Sequence, residues 1–349
     1  MALWLFRAGK SGEFESKFLN DGKIYLTWER LNKDLRLIKT KIELFAALIE
    51  FYPEFKRATV RNWTGQVYPM ANTMKVGDWI VLPSKLKSAF HFGEIKGEYE
   101  FHPEAEDLYR HCRKVDWFAK DIPRSIFDQD LLYSLGAVMT VCQISRNDAE
   151  ERIRAMYRNN WRPLKGTFTT PEPETDIESS GMVDLEEYAR DQIAKYIIHK
   201  YKGHKMAEII ESIMKAKGYV TYRSPEGPDK GVDILAAPEP LGFGKPSLCI
   251  QVKTGDTPID RPTLDQLLGT MQNFKAEQGL LVSWAGFKAS VEREKPAQFF
   301  KIRLWDQNSI INELITVYDK LNEDLKAELP LKRIWTLNIP EDEVFEEGD

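Results

Sequence analysis

Cysteine is scarce in this chain and poorly placed to build structure. Cys112, Cys142 and Cys249 are odd in number, widely separated and without a CxxC pair. That excludes a disulfide framework and a cysteine-built zinc site, and it suits a reducing compartment. Histidine is almost as rare: His91, His102, His111, His199 and His204 form no ligand-spaced pair with a matching partner. No apolar run approaches the length that spans a bilayer, and "MALWLFRAGKSGEF" lacks a signal peptide's apolar region and cleavage site. The expectation is a cytoplasmic chain with no membrane partner. GxGxxG, a Walker lysine loop, HExxH and GxSxG are also missing, so no nucleotide-hydrolysing motif is present.

What is there is ordinary globular composition, 42% hydrophobic and 30% charged, which argues against wholesale disorder or a fibrous chain. At 349 residues the chain is long enough for two domains with separate cores. The net charge of −5 argues at first against a nucleic-acid partner, but the charge is uneven. From Thr167 to Tyr188 every charged residue is acidic, whereas Lys195, His199, Lys200, Lys202, His204 and Lys205 cluster just beyond. A phosphate-binding face needs only local basic surface, so the negative total excludes little. The basic cluster is also what a solvated helix end looks like, and that plainer explanation is favoured slightly.

"LKGTFTTPEPETDIESSGMVD" has Pro, Thr, Ser and acidic residues with no apolar period, and reads as a linker. The expected organisation is therefore residues 1–162, a linker at 163–181, and residues 182–349. The first part shows short strand-like runs ("ALWLFRA", "KIYLTW", "VGDWIVLPS", "AFHFGEIKGEYEF"), a helix at "TKIELFAALIEFY" and another at "RNDAEERIRAMYRNN". That predicts a mixed, barrel-like domain with helical insertions. After the linker, helices begin at Asp184, a candidate cap, and at "HKMAEIIESIMKAK", stopped by Gly218. Strands "YVTYRS", "VDILAAP" and "SLCIQVK" follow, then helix, "GLLVSWA", helix "ASVEREKPAQFF", "KIRLWD" and a final helix. The order predicts an α/β domain with a mixed sheet.

Two polar insertions in this second part stand out. Asp233 interrupts "VDIL", while Gln251 and Lys253 interrupt "LCIQVK". Burying charge in a sheet costs several kcal/mol unless each group is partnered. Residues 251 and 253 project from one face of a strand, and a hairpin-like connection would set Asp233 alongside. The Asp233 carboxylate, the Gln251 amide oxygen and the Val252 backbone carbonyl can ligate Mg²⁺ (or Mn²⁺), with Lys253 polarising water and stabilising charge developing on phosphorus. The plainer alternative is an Asp–Lys structural ion pair.

"GYVTYRSPEGPDKGVDIL…IQVKTG", with "GLLVSWAGF" and "KIRLWD" after it, resembles the Mrr-type restriction endonucleases of the PD-(D/E)xK nuclease superfamily, over roughly Gly203 to Leu321. In that branch glutamine replaces the acid before x-Lys. The resemblance implies catalytic roles for Asp233, Gln251 and Lys253, and a helix carboxylate for which Glu208 is the first candidate and Glu211 the second. Asp229 is a further nearby acid, assigned to the Gly-Pro turn.

"VRNWTGQVYPMANTMKVGDWIVLPS" is similar to the EVE branch of the PUA-like domains, through Val60-Arg61-Asn62, Met74-Lys75-Val76-Gly77-Asp78 and the preceding "WLFRAG". Ala8-Gly9 stands where that family has a serine. The resemblance implies a β-barrel with a pocket for a flipped, modified base, recognised by stacking and edge hydrogen bonds. Trp28 and Trp63 are candidates for the aromatic face, or equally for core, and Arg7, Asn62 and Ser84 for the base edge. Trp79, within "DWIVL", is assigned to the core.

The expected whole is a PUA-like β-barrel followed by a restriction-endonuclease-like α/β domain. Together they would form a Mg²⁺-dependent, modification-dependent endonuclease of double-stranded DNA in prokaryotic defence. Cutting both strands needs two sites, so a homodimer or DNA-induced pairing is implied. The alternatives are a DNA-binding protein with an inactive nuclease fold and a nuclease gated by a small ligand in the N-terminal domain.

Overall fold

The computed structural model describes residues 1–162, 184–225 and 231–335. They form two compact units, one including Met1–Ala189 and the other Arg190–Ile334. In the first, strand β1 (Leu3–Phe6) is apolar at every position because both of its faces are covered. Trp4 and Phe6 enter one core, Leu3 and Leu5 another. β1 lies parallel to β3 (Trp79–Pro83) and antiparallel to β7 (Val141–Gln143). The sheet runs β2 (Lys23–Tyr25), β6 (His111–Pro123), β4 (Ala89–Ile95), β3, β1, β7, with β5 (Glu100–Phe101) added to β6.

The barrel expected here is half realised. Register shifts between β4 and β6 bend the sheet, but among the described residues its ends, β2 and β7, do not pair. Both are three-residue strands, which leaves little ladder for closure. Helices α1 (Glu15–Asp21), α2 (Lys41–Phe51) and α3 (Arg57–Asn72) cover one face. A capping box between Thr40 and Glu43 starts α2. Asn62 and Trp63, beside turn-like sequence, sit in the middle of α3. Helices α4 (Gln129–Leu135) and α5 (Ala149–Arg158) cover the other face, where Trp79 is buried as expected.

The boundary between units falls within α6 (Leu185–Lys200). Asp184 Oδ1 accepts the Glu187 N–H at 3.0 Å, the cap anticipated from sequence. Helix α7 (Lys205–Ala216) is followed by Gly218 at φ 92°, a left-handed position that favours glycine. The second sheet has the order β12 (Ile302–Trp305), β11 (Gln278–Ser283), β10 (Leu248–Lys253), β9 (Ile234–Ala237), β8 (Val220–Arg223). The first three strands are parallel and the last two pairings antiparallel, so the sheet is mixed, as expected.

Ile234, Ile250 and Val282 pack toward α6, α7 and α10 (Gln307–Val317). Cys249 and Leu281 pack toward α8 (Arg261–Phe274) through Leu264 and Leu267 on the other face. The helix expected over "ASVEREKPAQFF" is a single turn, α9 (Ala289–Glu292). Pro296 disfavours helical geometry at the residue before it and donates no hydrogen bond. A short closing helix, α11 (Glu323–Glu328), was not anticipated.

Candidate active site

The β9–β10 pairing sets the geometry. Ile250 stands opposite Ile234, the last pair of that ladder, and Asp233 lies just beyond it, bonded to β10 at Ile250 and Val252 on either side of Gln251. β10 runs on to Lys253 beside β11, while β9 is assigned from Ile234 only. Asp233 N donates to Ile250 O at 3.0 Å. Beyond that point the Asp233 side chain takes over from the backbone: Oδ2 accepts the Val252 N–H at 2.7 Å. One reason for an acid in an apolar run is thus structural, since its carboxylate satisfies a strand donor at the end of the ladder.

The same pairing directs a carbonyl. Within a strand, a residue's N–H and C=O leave on one edge, and the next residue's leave on the other. Ile250 O goes to Asp233 N, whereas Lys253 O accepts from Trp284 N at 3.0 Å on the β11 side. The Val252 carbonyl therefore leaves on the edge where Asp233 stands. Gln251 is 1% exposed, and its Oε1 is buried without a hydrogen-bond partner. Lys253, two residues further along the same face, is exposed and makes no ion pair among the described residues.

Two carbonyl-type oxygens and a carboxylate are the donor set a hard divalent cation takes. An orphaned, buried amide oxygen is the feature that a cation would satisfy, so these residues fit such an ion. Cys249 lies on the same face as Gln251, two residues before it. Burial pushes its thiol up to about 11, which keeps it protonated at neutral pH and removes it as ligand or nucleophile.

The helix acids are engaged elsewhere. Glu208, half exposed, pairs with Arg223 Nη1 at 2.9 Å. Glu211 accepts from Thr221 Oγ1 at 2.9 Å, pairs with Lys215 at 2.9 Å, and lies 3.7 Å from Arg223 Nε. Burial alone would raise the Glu211 carboxyl, but the hydrogen bonds from Lys215 and Thr221 hold it below its ordinary value. Arg223 stands opposite Ile234, so it shares the α7 face of the sheet, whereas Gln251 shares the α8 face with Cys249. Asp229 lies outside the described residues.

In the first unit the base-pocket candidates do not share one face of the sheet: Arg7 continues the Leu3 and Leu5 face of β1, whereas Ser84 continues the Ile80 and Leu82 face of β3, the side that α3 with Asn62 covers. Arg7 N donates to Thr140 O at 2.8 Å, and its guanidinium donates to Ala137 O from Nε (3.0 Å) and Nη2 (2.6 Å). Ser84 Oγ donates to Glu15 Oε1 at 2.8 Å. Asn62 Oδ1 accepts from Gln66 Nε2, and Gln66 Oε1 accepts from Thr140 N and Val141 N. Trp63 instead packs on Tyr52 and Phe55, with centroids 5.2 and 4.8 Å away, and Trp28 is half-buried against the same core.

Sequence reasoning missed the buried pair Glu15 and His91. His91 Nδ1 accepts the Asp121 N–H at 3.1 Å, which leaves Nε2–H to donate to Glu15 Oε1 at 3.1 Å. Glu15 belongs to α1, whose polar sequence gave no helical period. Glu100, His102 and Cys112 also bring potential ligand atoms within 4.8 Å of one another. There the Lys23 ammonium already stands 3.6 Å from both Cys112 Sγ and Glu100 Oε2, in the place of a cation.

Comparison with known proteins adds two family matches. Residues 198–314 match a family described as restriction endonuclease, of the Mrr type. Residues 4–144 match a domain of unknown function. No curated protein matches significantly. Among solved structures, the protein of unknown function AF1548 is 10% identical, covering 36% of this chain and 78% of its own, at a TM-score of 0.26. The DNA modification-dependent restriction endonuclease AspBHI is 10% identical, covering 72% and 67%, at 0.34. The MspJI restriction endonuclease in complex with a 27-mer oligonucleotide is 12% identical, covering 72% and 62%, at 0.32.

Proposed function

We propose that the restriction endonuclease domain at residues 198–314 hydrolyses phosphodiester bonds of double-stranded DNA at a divalent-cation site built by Asp233, Gln251 and Val252, with Lys253 beside it. The observation that carries this reading is the buried, unpartnered Gln251 Oε1 next to Val252, whose N–H the Asp233 carboxylate accepts. Mg²⁺ (or Mn²⁺) bound there would supply positive charge that polarises a phosphate and acidifies water. Asp233, anchored by the Val252 N–H, presents its carboxylate in one orientation. Gln251 adds a neutral oxygen, which keeps the donor charge low. Lys253 donates a charge-assisted hydrogen bond to a phosphate oxygen and stabilises charge gathering on it as the bond breaks.

In this reading residues 1–162 form an EVE-like reader of a modified base, 163–181 a linker and 182–349 the nuclease region, acting in prokaryotic defence as a homodimer or DNA-induced pair. Ser84 and Asn62, both on the side of the sheet that α1 and α3 cover, support the reader, whereas Arg7 faces the other side. The engagement of Glu208 and Glu211 by Arg223 favours one competing reading, a DNA-binding protein whose nuclease fold does not cut. Incubating the full chain with matched unmodified, methylated and hydroxymethylated duplexes, in Mg²⁺ or in EDTA, separates them. Cleavage of a modified duplex in Mg²⁺ only is the expected result. Binding without cleavage in Mg²⁺ and in Mn²⁺ supports the competing reading.

A further inference from the structure

In the first unit, one carboxylate is surrounded by three cations. Glu187, in the first turn of α6, places Oε1 3.1 Å from Arg124 Nη1. Its Oε2 lies 3.8 Å from Arg7 Nη2 and 3.8 Å from Lys85 Nζ. That oxygen is buried and accepts no hydrogen bond. Arg124 and Arg7 are 3% and 6% exposed, so both guanidinium charges are largely removed from water. Lys85 Nζ also donates to Asp184 Oδ2 at 3.0 Å.

The cations come from three places on the sheet: Arg7 follows β1, Lys85 follows β3 and Arg124 follows β6. Contacts other than Glu187 hold two of them. Arg7 forks onto Ala137 O, and Arg124 lies 4.4 Å over the Phe90 ring. The positive cluster is therefore positioned by the fold, and Glu187 is brought to it by a helix end. A carboxylate fits it incompletely, reaching hydrogen-bonding distance of Arg124 alone. Two planar guanidinium groups and an ammonium around one point suit a tetrahedral oxyanion with more acceptor oxygens.

We propose that Arg7, Lys85 and Arg124 form a phosphate-binding site that Glu187 occupies as an internal substitute, so that a phosphate-bearing ligand competes with the first turn of α6. The phosphate could belong to a DNA backbone, a mononucleotide or free phosphate, which share this chemistry. The inference rests on the first unit alone and survives or fails independently of the nuclease assignment.

The test is calorimetric titration of the full chain, wild type and Glu187→Gln, with inorganic phosphate, a deoxynucleoside monophosphate and a short duplex at constant ionic strength. Removing the competing charge is expected to tighten binding by about tenfold or more. Adding Lys85→Gln to Glu187→Gln is expected to reverse that gain. A gain for all three probes assigns free phosphate as sufficient; a gain for the duplex alone assigns the DNA backbone. If Glu187→Gln does not fold, Glu187→Asp, which withdraws the carboxylate but keeps its charge, carries the same comparison with a smaller gain. Equal binding of every probe by wild type and the Glu187 variant, or a gain untouched by Lys85→Gln, overturns the proposal.

Discussion

At the residue scale, the candidate site is a trade between stability and chemistry. Leaving the Gln251 Oε1 buried without a donor costs about 1–3 kcal/mol. Methionine has similar length and no oxygen to satisfy. In EDTA, Gln251→Met should raise the unfolding free energy of the protein by about 1 kcal/mol in chemical denaturation, while DNA cleavage in Mg²⁺ falls. Unchanged stability with unchanged cleavage would mean that the amide oxygen has no role. Asp233 shows why a residue with two functions is hard to read in advance. Its position among apolar neighbours signalled an unusual group, but its bond to the Val252 N–H depends on where β9 ends, which only the paired strands reveal. The reverse held for Glu208: its acid chemistry was visible, and its pairing with Arg223 was not, because that arginine arrives from a different element.

At the scale of elements, the site depends on β10 being held between β9 and β11, with α8 close against its face. Gly279 on β11 makes the closeness possible. A Cβ there would come within 2.6 Å of Met271 Sδ and 3.3 Å of Leu267 Cδ2 on α8. Gly279→Ala should therefore destabilise the protein by about 1 kcal/mol as the Met271 side chain is forced to repack, measured by chemical denaturation. No loss would show that α8 has room to move.

The second unit was largely legible in the sequence because its strands are short apolar runs flanked by helices of clear period. That alternation predicted a mixed sheet, but the strand order within it came only with the structure. The first unit was less so. β6 was overlooked because Arg113, Lys114, Asp116 and Lys120 interrupt it. Burial nevertheless alternates through Val115, Trp117 and Ala119. Arg113, fully buried, satisfies its guanidinium on the Met70, Met74 and Gly97 carbonyls, a solution that no local pattern announces. α3 was obscured by its polar surface, and the openness of the sheet by edge strands too short to weigh in a reading of periodicity.

At the scale of the whole molecule, the account joins a restriction endonuclease domain to a first unit with a candidate base pocket and a self-occupied cationic cluster. A net charge of −5 means that any attraction for DNA is local, carried by clusters such as Arg7, Lys85 and Arg124. The most direct measurement is single-turnover cleavage of a modified duplex by the full chain in Mg²⁺, comparing wild type with Asp233→Asn and Lys253→Ala at matched DNA occupancy. The account expects cutting by wild type and a loss of about 10²–10³-fold or more in each variant, with DNA binding nearly intact. Cutting by both variants at the wild-type rate would contradict it.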